Sequence, residues 1–235
     1  MLPRYVIDLL WLVPTVPALL MMLYARARVQ RTYDHFRAVP NCCRLSGSQV
    51  ARLLLDSADL RHVPIEEIDG ELTDYYDERH RAVRLSSHVV HEASVAALGI
   101  AAHEVGHAAQ HHAAYQPFRL RVWVVPVAAW APPFGLLLIA ASLVTQLDEI
   151  GWLAALLLTG AVVMALAVLP VESDASRRGL HLLRANGLVQ PPDLEGARAI
   201  LDAARLTYLA LLLAAVSQLV YLGLSATGVA GRSHR

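Results

Sequence analysis

Residues 93–112 read ASVAALGIAAHEVGHAAQHH, and this stretch decides how the chain is organised around its chemistry. It is rich in alanine, and no proline occurs from residue 65 to residue 116, so a long helix is predicted from Ala93 to Ala114. The most apolar part of that helix covers about ten residues, whereas a membrane span needs about 20. We therefore expect this helix to belong to a polar domain.

The segment His103-Glu-Val-Gly-His107 lies on the predicted helix. Residues four apart project from one helix face about one turn apart, which suits two imidazole ligands of a tetrahedral zinc ion. Glu104 follows the first histidine directly, where its carboxylate can hold and deprotonate the attacking water of a metallopeptidase. The alternative is a polar helix face whose histidines only form hydrogen bonds. The spacing favours zinc.

A catalytic zinc site takes three protein ligands and keeps one position open. A metzincin would need glycine at 110 and histidine at 113, but the sequence has Gln110 and Ala113, which excludes that class of protease. His111 is one candidate for the third ligand, although three histidines along one helix fit a tetrahedral ion poorly. Glu172 is the favoured candidate. Asp174 could accept a hydrogen bond from a ligating histidine.

Composition indicates a membrane protein, since the chain is 56% hydrophobic and 17% charged. Its formal net charge is zero, so no basic surface indicates nucleic acid as a partner. Four stretches are long and apolar enough to be predicted as membrane spans. They are residues 5–24, taken as a retained anchor, and residues 122–146, 151–170 and 206–226.

The two middle spans are predicted to form a helical hairpin, which returns the chain to the side of the membrane it left. Glu172 then lies on the same side as the HEVGH segment, although it could instead pair with Arg177 or Arg178. Arginines are concentrated in residues 26–121 and 171–205, so both polar regions are predicted to be cytoplasmic and both termini outside.

The first polar region is predicted to be a small α+β domain. Ser46 or Ser48 can cap a helix whose apolar face is Val50, Leu53 and Leu54. Two short β-prone runs flank residues 77–80 and predict a hairpin. The predicted domains are an anchor (1–25), a catalytic domain (26–121), a membrane hairpin (122–170), a segment with the third ligand (171–205), and a last span with its tail (206–235).

Three segments, Leu72–Tyr76, Ala101–Gln110 and Pro170–Arg178, resemble the YugP-type neutral zinc peptidases of bacterial membranes, and the likeness covers nearly the whole chain. The resemblance implies a mainly α membrane protein, with four transmembrane helices and a small α+β zincin-like domain of the gluzincin type. It implies His103, His107 and Glu172 as ligands of one catalytic Zn²⁺, with Glu104 as the base. It also implies a multi-pass protein of the bacterial cell membrane, and the arginine distribution predicts that its active site faces the cytoplasm.

A more distant similarity is to HtpX-type and CAAX-prenyl membrane proteases, which also place a helical hairpin between HExxH and their glutamate. Those proteins carry Ala-Asp three and four residues after the glutamate, whereas this chain has Ala175 and Ser176. The usual aspartate partner is therefore absent. The partners of the zinc ligands cannot be carried over from that larger family.

The predicted function is zinc-dependent hydrolysis of peptides or proteins, and membrane proteins are among the expected substrates. The protein is expected to lie in the lipid bilayer, and a regulatory partner is compatible with the sequence. An edge of the 71–86 hairpin is expected to hold an extended substrate.

The main rival is a membrane scaffold or partner protein with a structural zinc site. An intramembrane protease would carry HExxH inside a span, and a zinc transporter would need more ionisable residues in its spans. Candidates for stabilising the oxyanion are Tyr75, Tyr76, His91 and Arg177.

Overall fold

A computed structural model describes residues 4–128, 130–145 and 147–226, with side chains described from Val13 onwards except those of residues 124, 126–128, 132, 143, 148 and 224–226. The described chain is mainly helical with one small sheet, as predicted. In chain order its elements are α1 (Arg4–Arg37), α2 (Gly47–Ser57), β1 (Ile65–Ile68), β2 (Tyr75–Asp77), β3 (Ala82–Ser86), α3 (Ser87–His91), α4 (Val95–His112), α5 (Gln116–Ala128), α6 (Ala131–Thr145), α7 (Asp148–Ala185) and α8 (Pro191–Ala226).

The elements fall into two compact units. One unit comprises Arg26–Leu120 and Pro170–Leu206, and it contains α2, the sheet, α3, α4 and the parts of α7 and α8 that lie in these ranges. The other described residues form the second unit, in which small clusters such as Ile139, Ala154 and Leu158 are buried. The HEVGH segment and Glu172 both belong to the first unit.

Helix α2 begins as the sequence predicts. Ser46 is its N-cap, and the Ser46 hydroxyl and the Gln49 side chain each bond the other residue's backbone N–H in a capping box. The prediction for its apolar face is wrong at Leu53, which is exposed. The buried face is formed instead by Val50, Ala51, Leu54 and Leu55, because these positions repeat at the helical period on the side that packs on α4.

The sheet contains the predicted hairpin and one strand that was not predicted. Strands β2 and β3 pair antiparallel, while β1 pairs parallel to β3, so β3 is central and β2 is an edge. Asp74 accepts hydrogen bonds from the Ser86 backbone N–H and the Ser86 hydroxyl. These bonds tie the start of β2 to the end of β3. Helix α4 packs against both strands.

The prediction of four membrane spans is not met in the described residues, where two helices are long and apolar enough to cross a bilayer. They are Glu149–Ala185 and Pro191–Gly223, and they contain the predicted spans 151–170 and, up to Gly223, 206–226. Many large apolar side chains on these helices are exposed, including Trp152, Leu156 and Leu213. The first predicted span lies within α1, but the side chains of its residues 5–12 lie outside the described residues.

The predicted span 122–146 is divided between α5 and α6, which have 13 and 15 residues. Each is shorter than the roughly 20 residues that a span requires. Pro132 and Pro133 lie in the first turn of α6, where helices tolerate a residue without a backbone N–H. The prolines therefore begin a new helix and do not continue a single long one. Orientation in a membrane remains a prediction.

Candidate metal centre

The site lies where α4 meets the part of α7 that follows Pro170, and two glycines allow these helices to touch. A Cβ atom added to Gly106 would lie 2.2 Å from the Ala175 carbonyl oxygen, and one added to Gly179 would lie 2.3 Å from the Ala102 carbonyl oxygen. Both distances are far below van der Waals contact, so any other residue would force the backbones apart. The Gly of HEVGH thus brings the two helices within reach of each other.

Three donor side chains converge across this contact. His103 Nε2 lies 3.2 Å from Glu172 Oε2, and His107 Nε2 lies 3.7 Å from Glu172 Oε1. One ligand atom from each residue lies within 4.8 Å of the other two, so these three residues could hold a metal ion. The structure therefore brings together all three predicted ligands.

The donor set fits zinc in both chemistry and spacing. Zinc takes histidine nitrogen and carboxylate oxygen at about 2.0–2.2 Å, and tetrahedral geometry then separates neighbouring ligand atoms by roughly 3.4 Å. The distances of 3.2 Å from His103 to Oε2 and 3.7 Å from His107 to Oε1, one to each oxygen of the Glu172 carboxylate, lie near that value. Two nitrogens and one oxygen also match the ligands of catalytic sites that keep a fourth position open.

Glu104, the predicted base, is buried next to this group, with 6% of its surface exposed. Burial raises the pKa of its carboxyl group, while the charges of the His103 and His107 imidazoles act to lower it. A carboxylate in such surroundings has few competing waters and lies beside the two imidazoles. The placement suits a group that handles the proton of a single water molecule.

Each imidazole is held through its second nitrogen by a residue whose role was not predicted. His103 Nδ1 lies 3.1 Å from the Ser176 hydroxyl, and His107 Nδ1 lies 3.0 Å from Gln110 Oε1. Ser176 thus contacts His103 from the position where the larger family carries aspartate. The helical spacing of Glu172 and Ser176, four residues apart, could have indicated this contact, since it places both on one face of α7.

Asp174, which was expected to accept from a ligating histidine, is linked to His107 through Gln110. The Gln110 amide donates to Asp174 Oδ2 at 3.0 Å, while Arg177 and Arg178 bind the same carboxylate. The sequence left open that Arg177 or Arg178 pairs with Glu172, but the structure shows both arginines paired with Asp174.

His111, the other candidate ligand, has a different environment. Its Nδ1 lies 3.0 Å from the Tyr76 hydroxyl, and its ring stacks on Phe118 at 5.4 Å. Burial lowers the pKa of His111 and raises that of Tyr76 to about 12, so both groups are neutral near pH 7. The pair connects α4 to β2 and so contributes to packing.

Replacing His111 by alanine is expected to leave zinc affinity unchanged within about twofold and to destabilise the fold. The Tyr76 hydroxyl would lose its partner in a largely buried position, which costs about 1–3 kcal/mol. Equilibrium dialysis against zinc and chemical denaturation of the same sample measure the two effects. Loss of the metal from a folded His111→Ala protein would instead make His111 a ligand.

The candidates for an oxyanion stabiliser all have other partners. The Tyr75 hydroxyl accepts from Arg84, the Tyr76 hydroxyl contacts His111, and Arg177 binds Asp174. His91 is exposed and contacts Glu67. These contacts engage each of the four side chains with a residue outside the group formed by His103, His107 and Glu172.

The family described as "Putative neutral zinc metallopeptidase" matches residues 11–227 of this chain. The chain belongs to this family. It is also 35% identical over 213 residues to the "Putative membrane protease YugP" of Bacillus subtilis (strain 168), with 90% of this chain and 94% of that protein covered. The resemblance drawn from the three sequence segments is thereby confirmed. No solved structure matches the chain.

Proposed function

We propose that this member of the neutral zinc metallopeptidase family is a membrane-bound zinc endopeptidase. In this proposal His103, His107 and Glu172 bind one zinc ion, and Glu104 is the general base. The observation that carries it is the convergence of two imidazoles and a carboxylate from α4 and α7. The carboxyl of Glu104 is buried and lies close enough for the charges of both imidazoles to act on it. Sites with this composition occur in zinc peptidases that hydrolyse peptide bonds with water.

When bound, zinc supplies Lewis-acid polarisation of the scissile carbonyl and makes a water molecule more acidic. The side chains of this protein perform the remaining steps. Glu104 orients the attacking water and takes its proton on a carboxylate oxygen, and the same carboxyl group then delivers that proton to the leaving amine. The packing of α4 on α7 keeps the reacting groups out of bulk water.

A substrate can bind in extended form along β2, because β2 is an edge of the sheet and its outer backbone groups can pair with a peptide. Such binding relies on backbone hydrogen bonds and depends little on the substrate's side chains, so it suits a protease that accepts unfolded segments. Unfolded or membrane-anchored proteins are therefore the proposed substrates. The exposed apolar residues of Glu149–Ala185 and Pro191–Gly223 suit a bilayer, and the arginine distribution favours an active site on the cytoplasmic side.

The proposal is tested by cleavage of unstructured peptides with the full chain purified in detergent. We expect mass spectrometry to detect internal cleavage, which a zinc chelator stops and added Zn²⁺ restores. Chelated protein given only Mg²⁺ is the control and should remain inactive, since Mg²⁺ prefers six oxygen ligands. Cleavage that continues at full rate in metal-free protein would contradict the proposal.

A further inference from the structure

Gln110 is a fully buried polar residue that the proposed reaction does not use, although it lies one helical turn after His107. Its Nε2 atom is 2.8 Å from the Val171 carbonyl oxygen and 3.0 Å from Asp174 Oδ2. A carbonyl oxygen and a carboxylate oxygen can only accept hydrogen bonds, so the NH₂ group of the amide must face them. The orientation of the amide follows from chemistry alone.

The opposite end of the amide, Oε1, therefore faces His107 Nδ1 at 3.0 Å. An amide oxygen can only accept, so Nδ1 must carry a hydrogen and donate it. A neutral imidazole has one N–H, which leaves the lone pair on Nε2. Nε2 is the atom of His107 that faces Glu172, and it is the atom that a metal at this site would need.

The contact at Nδ1 of His103 is of a different kind. Its Nδ1 contacts the hydroxyl of Ser176, and a hydroxyl can donate as well as accept. The Ser176 contact therefore permits either tautomer of His103. The two histidines of HEVGH are held differently, one by a partner of fixed polarity and one by a partner that adapts.

We propose that Gln110 is a positioning residue that fixes His107 as the Nδ1–H tautomer, so that Nε2 is ready to bind metal. Asp174 supports the amide by accepting its second N–H, and Arg177 and Arg178 hold that carboxylate in turn. The role of this tautomer in metal binding rests on the proposed metallopeptidase function. The tautomer itself is inferred from the hydrogen bonds of Gln110 alone.

The tautomer can be measured by ¹H–¹⁵N correlation of the histidine rings in the full chain, labelled at histidine and kept metal-free in detergent. At about pH 9 an ordinary imidazole, whose pKa is about 6.5, is neutral and shows which nitrogen carries its hydrogen. The His107 signals are identified by their absence in His107→Asn. We expect a protonated Nδ1 and a bare Nε2 in the wild-type chain. A hydrogen on Nε2 would overturn the proposal, whether or not the protein cleaves peptides.

Variants separate positioning from packing. Gln110→Met keeps the volume of the side chain but forms no amide hydrogen bonds, so we expect mixed tautomers of His107 and zinc affinity weakened roughly 10–100-fold. Asp174→Asn should retain the His107 tautomer, since the Val171 carbonyl alone still orients the Gln110 amide. Ser176→Ala should leave the His107 tautomer unchanged.

Gln30→Ala, at an exposed position of α1, is the control for loss of a glutamine and should change neither quantity. A pure Nδ1–H tautomer in folded Gln110→Met would contradict the proposal, because a residue that only fills space would leave the tautomer as it was. If Gln110→Met fails to fold, the wild-type spectrum still decides the outcome. Wild-type protein that shows the expected tautomer but cleaves no peptide would support the inference and contradict the proposed function.

Discussion

Replacing Glu104 by glutamine is expected to lower the rate of peptide hydrolysis by roughly 10²–10⁴-fold, the usual contribution of a general base. The amide keeps the size of the side chain but cannot take a proton from water. Zinc content should not change, because Glu104 is not one of the three converging donors. The measurement is the initial rate of cleavage of one identified peptide, with zinc determined on the same preparation.

Glu67→Gln is the matched control, since it makes the same chemical change at an exposed carboxylate of β1 in the same unit. Its activity should equal that of the wild-type chain. A Glu104→Gln protein that still cleaves at the wild-type rate would contradict the role of Glu104. The rival function, a scaffold with a structural zinc site, predicts zinc in both proteins and cleavage in neither.

Replacing Glu172 by alanine is expected to remove zinc from the protein. Two histidines would remain, and the loss of a ligand should weaken affinity by more than the roughly 10–100-fold typical of losing a residue that only supports a ligand. Metal analysis after dialysis against a buffered zinc solution gives the affinity, and circular dichroism establishes that the helices persist. Peptide cleavage should be lost together with the metal.

Two further variants sharpen this result. Glu195→Ala removes an exposed glutamate from the same unit and should bind zinc normally. Glu172→Gln keeps the volume of the side chain in the tight contact between α4 and α7, so it separates loss of the charge from loss of packing. Full retention of zinc by folded Glu172→Ala would contradict the assignment of the third ligand.

The positions of the two histidines were predictable because helical spacing alone places His103 and His107 on one face. The approach of Glu172 to that face was predicted by a different route, from the expected return of the chain after a membrane hairpin. The structure brings the three side chains together, but the first predicted helix of that hairpin is divided between α5, which ends at Ala128, and α6, which begins at Ala131. The expected approach of Glu172 to the two histidines is met, whereas residues 122–146 do not form the single helix that the argument assumed.

Other features could not be predicted, because they depend on how helices pack. The contacts of Gln110 and Ser176 require the register between α4 and α7, which is set by backbone contact at Gly106 and Gly179. Strand β1 has the sequence Ile-Glu-Glu-Ile, which lacks the alternating apolar pattern that predicts a strand. None of its residues is fully buried. Local sequence predicted α2, α4, the hairpin of β2 and β3 and the chemistry of their side chains, whereas the hydrogen-bond partners arose from packing.

The zinc content of the folded wild-type chain, measured beside a His103→Ala/His107→Ala double variant, tests the metal centre most directly. Both proteins are purified without chelators, equilibrated with the same buffered zinc solution and analysed for metal per mole of chain. We expect one zinc ion per wild-type chain and none in the double variant. A folded wild-type chain that takes up no zinc, or a double variant that keeps its ion, would contradict the assignment of this site.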